Sequence, residues 1–448
     1  MSSLPAPVPM VSDYQLLTSS TTPPTEAACF AIGRRCFTAT AMEASYNLGP
    51  LYNLKEDGRG VTIAIIDSFG NPNMASDLAN FDTQMGLQHM CGEPGQACGA
   101  GTPTFQHLFW NGKTEVKAPP PGSQSPGSQA RDAWTVETSL DVEWAHAMAP
   151  MANILNVTTN PAETQGVQGL PAMMDAEQFI VDNHQATVIS QSFGTTEEAF
   201  NSTQSLLNLR HAFISAAANG VTVLASSGDF GTANPGLTPV PNPTTFPFPT
   251  VNWPASDPLV TGVGGTYLCT NPVTGTGIDN TDPPVNCHVS PPVREIGWID
   301  SGGGFSHIFA KPGYQDTLPT GSTSIGAMRG VPDVAFQASS RTGPLVYDTA
   351  PGAGGWFIVG GTSCSAPQWA GLVAIADQIA GHGLGQINPT LYKIATSGSY
   401  GTDFFDVTTG NNQANPSVPG YPATAGWDPV TGLGTPNAAS LVPALAAG

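Results

Sequence analysis

The sequence predicts an α/β domain built on a parallel sheet with helices on both faces. Three observations carry that expectation. Near-continuous β-branched runs recur between glycines and turn residues, as in strands buried on both faces. Helix-like segments lie between several of them, and alternating β and α elements favour a parallel sheet. No internal repeat or second independent core is apparent in the 448 residues, so we read a single domain.

Taken in order, residues 1–40 are rich in Ser, Thr and Pro and read as an irregular N-terminal extension. The domain proper is expected over 41–448. The turn Gly58-Arg59-Gly60 opens the first strand run, Val61 to Asp67, and similar runs follow at Ile154–Val157, Val188–Ser192, Val221–Ala225 and Leu259–Val263. Helices are expected at 133–148, 171–183 and 201–219. The Pro-rich stretch from Pro119 to Gln129 reads as a surface loop.

Hydrophobic residues make up 40% of the chain, enough for a sizeable core, and only 10% are charged. With 33 acidic and 13 basic residues the formal charge is −20, which argues against nucleic acid or an anionic membrane as a partner. Such a surface suits an acidic medium, where protonated carboxyls leave little charge to repel. Of seven cysteines, Cys29 and Cys36, Cys91 and Cys98, and Cys269 and Cys287 fall as close pairs, leaving Cys364 alone. Three local disulfides point to an oxidising, extracellular compartment. A zinc reading is weaker, because no Cys-x-x-Cys or clustered histidines accompany them. There is no apolar run of membrane length. Met1 to Pro7 lacks the basic and apolar regions of a signal peptide, so the expectation of secretion rests on the cysteines.

Chemistry concentrates at Gly360-Gly361-Thr362-Ser363, which follows the apolar run Trp356–Val359 and precedes a buried helix pattern. The glycines allow a sharp turn close to another segment. Ser363 then sits at a helix N-terminus, whose N–H groups favour the oxyanion that a nucleophilic serine generates. On its own the turn reads equally as a Ser/Thr cap on a core helix.

A second segment separates those readings. In 133–147, Ala133, Val136, Leu140, Trp144 and Ala147 form an apolar stripe at helical spacing. Glu137 and Asp141 are four apart, roughly 40° around the helix, and border that stripe. Like charges so placed repel unless one is protonated. Asp132 and Glu143 face elsewhere, and His146, on the opposite face, reads as a packed or solvent-touching histidine. Ser227-Gly228-Asp229 follows a strand, placing a carboxyl at the end of a sheet where α/β folds build sites, although a plain turn Asp looks the same.

Together, Glu-x-x-x-Asp at 137–141, Ser-Gly-Asp at 227–229 and Gly-Thr-Ser at 361–363 resemble the sedolisin family of serine-carboxyl peptidases. The likeness extends to Gly60–Pro72, Trp144–Ile154, Pro254–Thr266, Ser301–Ser306, Pro332–Ala335 and the C-terminal segment. It implies a subtilisin-like sheet with Ser363 as nucleophile, Glu137 as general base and then acid, Asp141 holding Glu137, and a protonated Asp229 in the oxyanion hole. A carboxylate still takes a proton at a pH where imidazole is fully protonated, and an acid donates to an oxyanion only while neutral. Protein or peptide substrates, a monomer and an endopeptidase acting at acid pH follow from the resemblance. Ser192, Phe193 and Gly194 would line the substrate cleft.

The resemblance also implies a calcium segment at about 403–432. Asp406 and Asp428, with the carbonyls of Val407, Thr424 and Gly426 and a water, would hold one Ca²⁺ through hard oxygen ligands. The chain departs from the family pattern at Thr424, usually Gly, and at Phe193, often Trp. Cys364 reads as a small buried hydrophobe beside the nucleophile. Residues 1–40 are too few for the family's propeptide, which implies a processed form or an unusual member. Ile65-Ile66-Asp67-Ser68 resembles instead the first motif of ordinary subtilisins, but no His-Gly-Thr-His segment follows, and Glu137 occupies that helix. An inactive binding protein on the same scaffold is the other alternative, against which all four catalytic positions are filled.

Overall fold

Ile63 and Ile65 pack into one hydrophobic core, and Ala64 and Ile66 into another. That is how a central parallel strand behaves when helices cover both faces of its sheet. The strand is Thr62–Ser68, in a computed structural model that describes residues 8–9, 13–111, 115–116, 129–159, 167–235 and 245–448. It pairs in parallel with Asn153–Thr159 on one side and with Val188–Gln191 on the other. Phe105–Trp110 follows on the first side; Thr222–Ser226 and Thr261–Leu268 follow on the second. Val334–Gln337 also joins Thr261–Leu268 in parallel. Short antiparallel strands, Glu115–Val116 and Glu295–Gly297, close the two edges. Every expected strand run is therefore a strand of this sheet.

Helices Gln129–Met148 and Ser365–Ala380 cover one face, and Leu170–Asp182 with His211–Ala218 cover the other. The expected helix over 201–219 is divided into Thr203–Leu207, a 3₁₀ turn at Asn208–Arg210, and His211–Ala218. The tighter turn aims Arg210 at the buried Asp257, with which it pairs at 2.5 Å. The surface loop expected at 119–129 lies outside the described residues up to 128.

The Gln129–Met148 helix differs from its expected two-faced form, because residues 134–149 are all buried. It packs against the sheet, Ser365–Ala380, the helix Met74–Met85 and the strand Thr342–Asp348. Glu143, expected to face away, accepts the Tyr347 N–H at 3.0 Å, and Trp144 Nε1 donates to the Leu345 carbonyl at 3.0 Å. These bonds dock the helix onto the hairpin that leads to Ser363.

Residues expected to be an irregular extension contain regular structure where they are described. Asp13–Thr18 pairs antiparallel with Gly355–Gly360, which pairs with Thr342–Asp348, which in turn pairs with Arg35–Phe37. Asp13–Thr18 is half exposed, with only Tyr14 and Leu17 laid on the core, so much of its order comes from backbone pairing and it leaves no clear apolar alternation in the sequence. Disulfides join Cys29–Cys36, Cys91–Cys98 and Cys269–Cys287, while Cys364 is free and buried. Among the described residues no helix is long and apolar enough to cross a membrane.

Candidate active site

The strand order turns back between Thr62–Ser68 and Val188–Gln191. Open α/β sheets leave a crevice at the carboxyl ends of such a pair. Asp67 ends one strand, Ser192 follows the other, and Ser227-Gly228-Asp229 follows the neighbouring Thr222–Ser226. The helix Gln129–Met148 brings Glu137 and Asp141 to the same place.

Glu137, Asp141 and Asp67 are all fully buried. Burial pushes Glu137 and Asp141 well above the ordinary carboxyl range; the charge of Asp141 adds to the effect on Glu137, and that of Asp67 to the effect on Asp141. The Ser363 hydroxyl acts on Glu137 in the opposite sense, as a hydrogen-bond partner. Their contact is loose, since neither Glu137 oxygen nor Ser363 Oγ completes a bond of ordinary length and angle. Catalytic hydrogen bonds are often open before substrate arrives. Ser192 Oγ donates to Asp141 Oδ1 at 2.9 Å, and Asn156 Nδ2 donates to Asp67 Oδ2 at 2.8 Å. Burial lifts Asp67 to about 7 against the bonds from Asn156 and Thr138.

Ser363 lies just before the Ser365–Ala380 helix. A side chain at Gly360 would strike the Ser340 backbone, and Gly361 has φ +144°, so both glycines of the turn are needed. Thr362 gives its N–H and its hydroxyl to Asp229 Oδ1, at 2.7 and 2.8 Å. The Gly228 N–H in turn donates to Thr362 Oγ1 at 3.0 Å, and Gly302 N–H to the Gly228 carbonyl at 2.7 Å. The nucleophile turn and the Asp229 turn are thus locked to each other. Cys364 is held as a thiol: burial raises it, and the charges of Asp229, Glu137 and Asp141 add to this.

Ser192, Phe193 and Gly194 are buried at the start of the Phe193–Thr196 strand. Val8–Pro9 runs antiparallel to it, Val8 opposite Gly194 and Pro9 opposite Phe193. This backbone therefore accepts an extended segment beside the carboxylates.

Farther away, Gly426 N–H donates to both oxygens of Asp406 at 3.1 Å, and Thr424 N–H to Asp428 Oδ2 at 3.0 Å. Both carboxylates raise Tyr400, after burial, so they converge on one region. Burial lifts Asp428 to about 7. Among the described residues neither carboxylate has a Lys, Arg or His within ion-pair distance. Two such oxygens without a counter-charge suit a hard cation.

The pattern of the "Subtilase family" matches residues 127–389, which include Glu137, Asp141, Asp229 and Ser363. The chain belongs to the subtilase family. Its likenesses lie on the sedolisin branch of that subtilisin-like fold. Kumamolisin of a Bacillus species is 32% identical over 399 residues, covering 87% of this chain and 60% of the relative. Tripeptidyl-peptidase 1 of Homo sapiens is 31% identical over 343 residues, covering 71% of this chain and 53% of the relative. The chain thus spans little more than half the length of these relatives. A solved Pseudomonas sedolisin, described as a serine-carboxyl proteinase complexed with two molecules of pseudo-iodotyrostatin, superposes with TM-score 0.67 at 24% identity. That match covers 91% of this chain and 97% of the other.

The structure brings the four sequence-derived catalytic candidates of this subtilase together and adds Asp67, which the sequence offered only to a histidine-based alternative. Its signal was a carboxylate ending an otherwise apolar strand run. Thr362 likewise reads in the sequence only as part of a turn.

Proposed function

We propose that the chain is an acid-acting serine-carboxyl endopeptidase that hydrolyses peptide bonds in proteins. The observation that carries this is the setting of Glu137: it is fully buried among the carboxyls of Asp141, Asp67 and Asp229, with Ser363 as its hydroxyl partner. Glu137 as carboxylate takes the Ser363 proton while Oγ attacks the scissile carbonyl. Asp229, neutral, donates with the Ser363 N–H to the oxyanion. Glu137 then returns the proton to the leaving amine. Water, deprotonated by Glu137, then attacks the acyl-enzyme, and Glu137 passes that proton to Ser363 Oγ as the carboxylic acid product leaves. Asp141 holds Glu137, and Ser192 holds Asp141. Substrate lies antiparallel along Phe193 and Gly194, as Val8–Pro9 does.

The catalytic unit is residues 41–448 together with the strands Asp13–Thr18 and Arg35–Phe37 that pair into it, acting as a secreted monomer on protein or peptide substrates; the three disulfides support secretion. Asp406 and Asp428, with the carbonyls of Val407, Thr424 and Gly426, would hold one Ca²⁺, which neutralises the carboxylates and joins the C-terminal loops.

The reading is tested by assaying protein cleavage against pH for the wild type, Ser363→Ala, Glu137→Gln and Cys364→Ser. We expect acid activity that falls by several orders of magnitude in the first two variants and survives in the third, since catalytic groups act as a unit. An inactive wild type supports a binding protein. Loss in Cys364→Ser with retention in Ser363→Ala means a thiol enzyme.

A further inference from the structure

On the far side of the catalytic helix, the loop closed by Cys91–Cys98 lies against the ends of two helices. One is Met74–Met85, which carries Asp82 in its last turn; the other is Gln129–Met148, which carries His146 in its last turn. One ligand atom each from Asp82, His89 and Glu93 lies within 4.8 Å of the others. Asp82 is fully buried, and neither of its oxygens accepts a hydrogen bond. A carboxylate there also faces the negative end of its own helix.

The neighbouring histidine reaches only one of its oxygens. His146 Nε2 is 2.9 Å from the Gln88 carbonyl, which can only accept, so its proton is spent there. At 3.3 Å from Asp82 Oδ2 the same nitrogen acts as charge, off hydrogen-bond geometry. Glu93, 5% exposed, is aimed by the Met90 N–H on Oε1 and by His89 Nδ1 on Oε2. Two buried carboxylates and an imidazole thus converge, with neither Asp82 oxygen in a hydrogen bond of ordinary geometry and only Oδ2 in an ion pair. The His89 side chain is 36% exposed, which gives an ion a way in.

We propose that Asp82, His89 and Glu93 form a divalent-cation site of the zinc class that fastens the Cys91–Cys98 loop to the two helix ends. One nitrogen with carboxylate oxygens, leaving a position for water, is a donor set that Zn²⁺ accepts, whereas calcium prefers oxygen alone. The cation replaces the proton shared by His89 Nδ1 and Glu93 Oε2, which passes to solvent. His146 steadies Asp82 from behind, as partners of metal ligands do.

The test uses the full chain with Ca²⁺ in excess, so that the proposed calcium site does not take up the probe. Zn²⁺ is titrated near neutral pH, bound metal is counted after gel filtration, and Co²⁺ is substituted for visible spectroscopy. One Zn²⁺ per chain, a Tm that rises with Zn²⁺ and a Co²⁺ spectrum of nitrogen–oxygen ligation are expected. His89→Ala should bind at least about tenfold more weakly, the least that loss of even a ligand's orienting partner costs. If that variant misfolds, Glu93→Gln carries the same comparison. A wild type that takes up no Zn²⁺, or a folded variant that binds it unchanged, overturns the proposal.

Discussion

Thr362 binds one oxygen of Asp229 twice, with its amide at 2.7 Å and its hydroxyl at 2.8 Å. An oxygen that receives two donors is a poor place for a proton, so a neutral Asp229 carries its proton on Oδ2. Thr362→Val keeps the shape but removes the hydroxyl. It should lower kcat roughly tenfold to a hundredfold, matching a lost bond of about 1–3 kcal/mol. Asp229→Ala should cost about 10²–10³. Steady-state kinetics on a peptide substrate decide this; a Thr362→Val enzyme with unchanged kcat would show that the oxyanion donor is positioned by other groups.

The pH–rate curve should be a bell with its maximum on the acid side of neutrality, and burial of Glu137 and Asp141 sets its acid limb above the ordinary carboxyl range near 4. The acid limb belongs to Glu137 and Asp141 as a coupled pair. The alkaline limb follows loss of the Asp229 proton, which Asp229→Asn should flatten in whatever activity remains. Asp67, itself lifted to about 7, is neutral below that pH and charged above it. Asp67→Asn should therefore leave an acid limb below about 7 in place, read as kcat/KM against pH. A limb that moves on this substitution would show Asp67 ionised there, and an optimum near pH 8 would exclude the carboxyl mechanism.

Stability should run the same way. Burial lifts Asp67, Glu43 and Asp377 each to about 7. A carboxyl raised in the folded state binds its proton more tightly there than in the unfolded chain, and each tenfold gain in proton affinity is worth about 1.4 kcal/mol. Its contribution is complete below the unfolded value near 4 and is lost as pH rises through about 7. Calorimetric Tm should be highest in acid and decline across that window. Asp377→Asn, which keeps an acceptor for the Leu384 N–H at 3.0 Å, should shallow the slope. A Tm that climbs from pH 4 to 7 would contradict the neutral buried acids.

Calcium removal by a chelator should lower Tm and then activity, with Ca²⁺ restoring both. Asp428→Ala should also destabilise, but Asp428 accepts the Val430, Thr431 and Thr424 amides, so that variant loses more than an ion ligand. Chelation with re-addition is thus the deciding arm. A melting curve indifferent to chelator, with no calcium found by metal assay, removes the site.

Much of this was legible in residues whose roles are local. β-Branched runs between glycines marked strands because both of their faces are covered, and the Glu137–Asp141 spacing marked a helix face with a purpose. What stayed hidden depends on contacts distant in sequence. Glu143 looked like an outward residue, and His146 read as either packed or solvent-touching, because a single helix pattern does not show how many neighbours surround it. Asp13–Thr18 is ordered by a partner more than 300 residues away, so nothing in its own composition declares a strand. Asp67 read only as the first motif of a histidine-based alternative until the sheet set its end beside Asp141.

The pairing of Asp13–Thr18 bears on when the sheet that leads to Ser363 can form. The strand leading to Ser363 is the inner partner of both Asp13–Thr18 and Thr342–Asp348. Domains assemble as the chain emerges, amino end first, and contacts of great sequence separation form slowly. The first of these partners must therefore wait, unpaired, while almost everything between them is synthesised. The sheet that carries the Gly360–Ser363 turn is therefore complete only after the carboxyl-terminal strands have been made, so its order belongs to the whole chain rather than to any early segment.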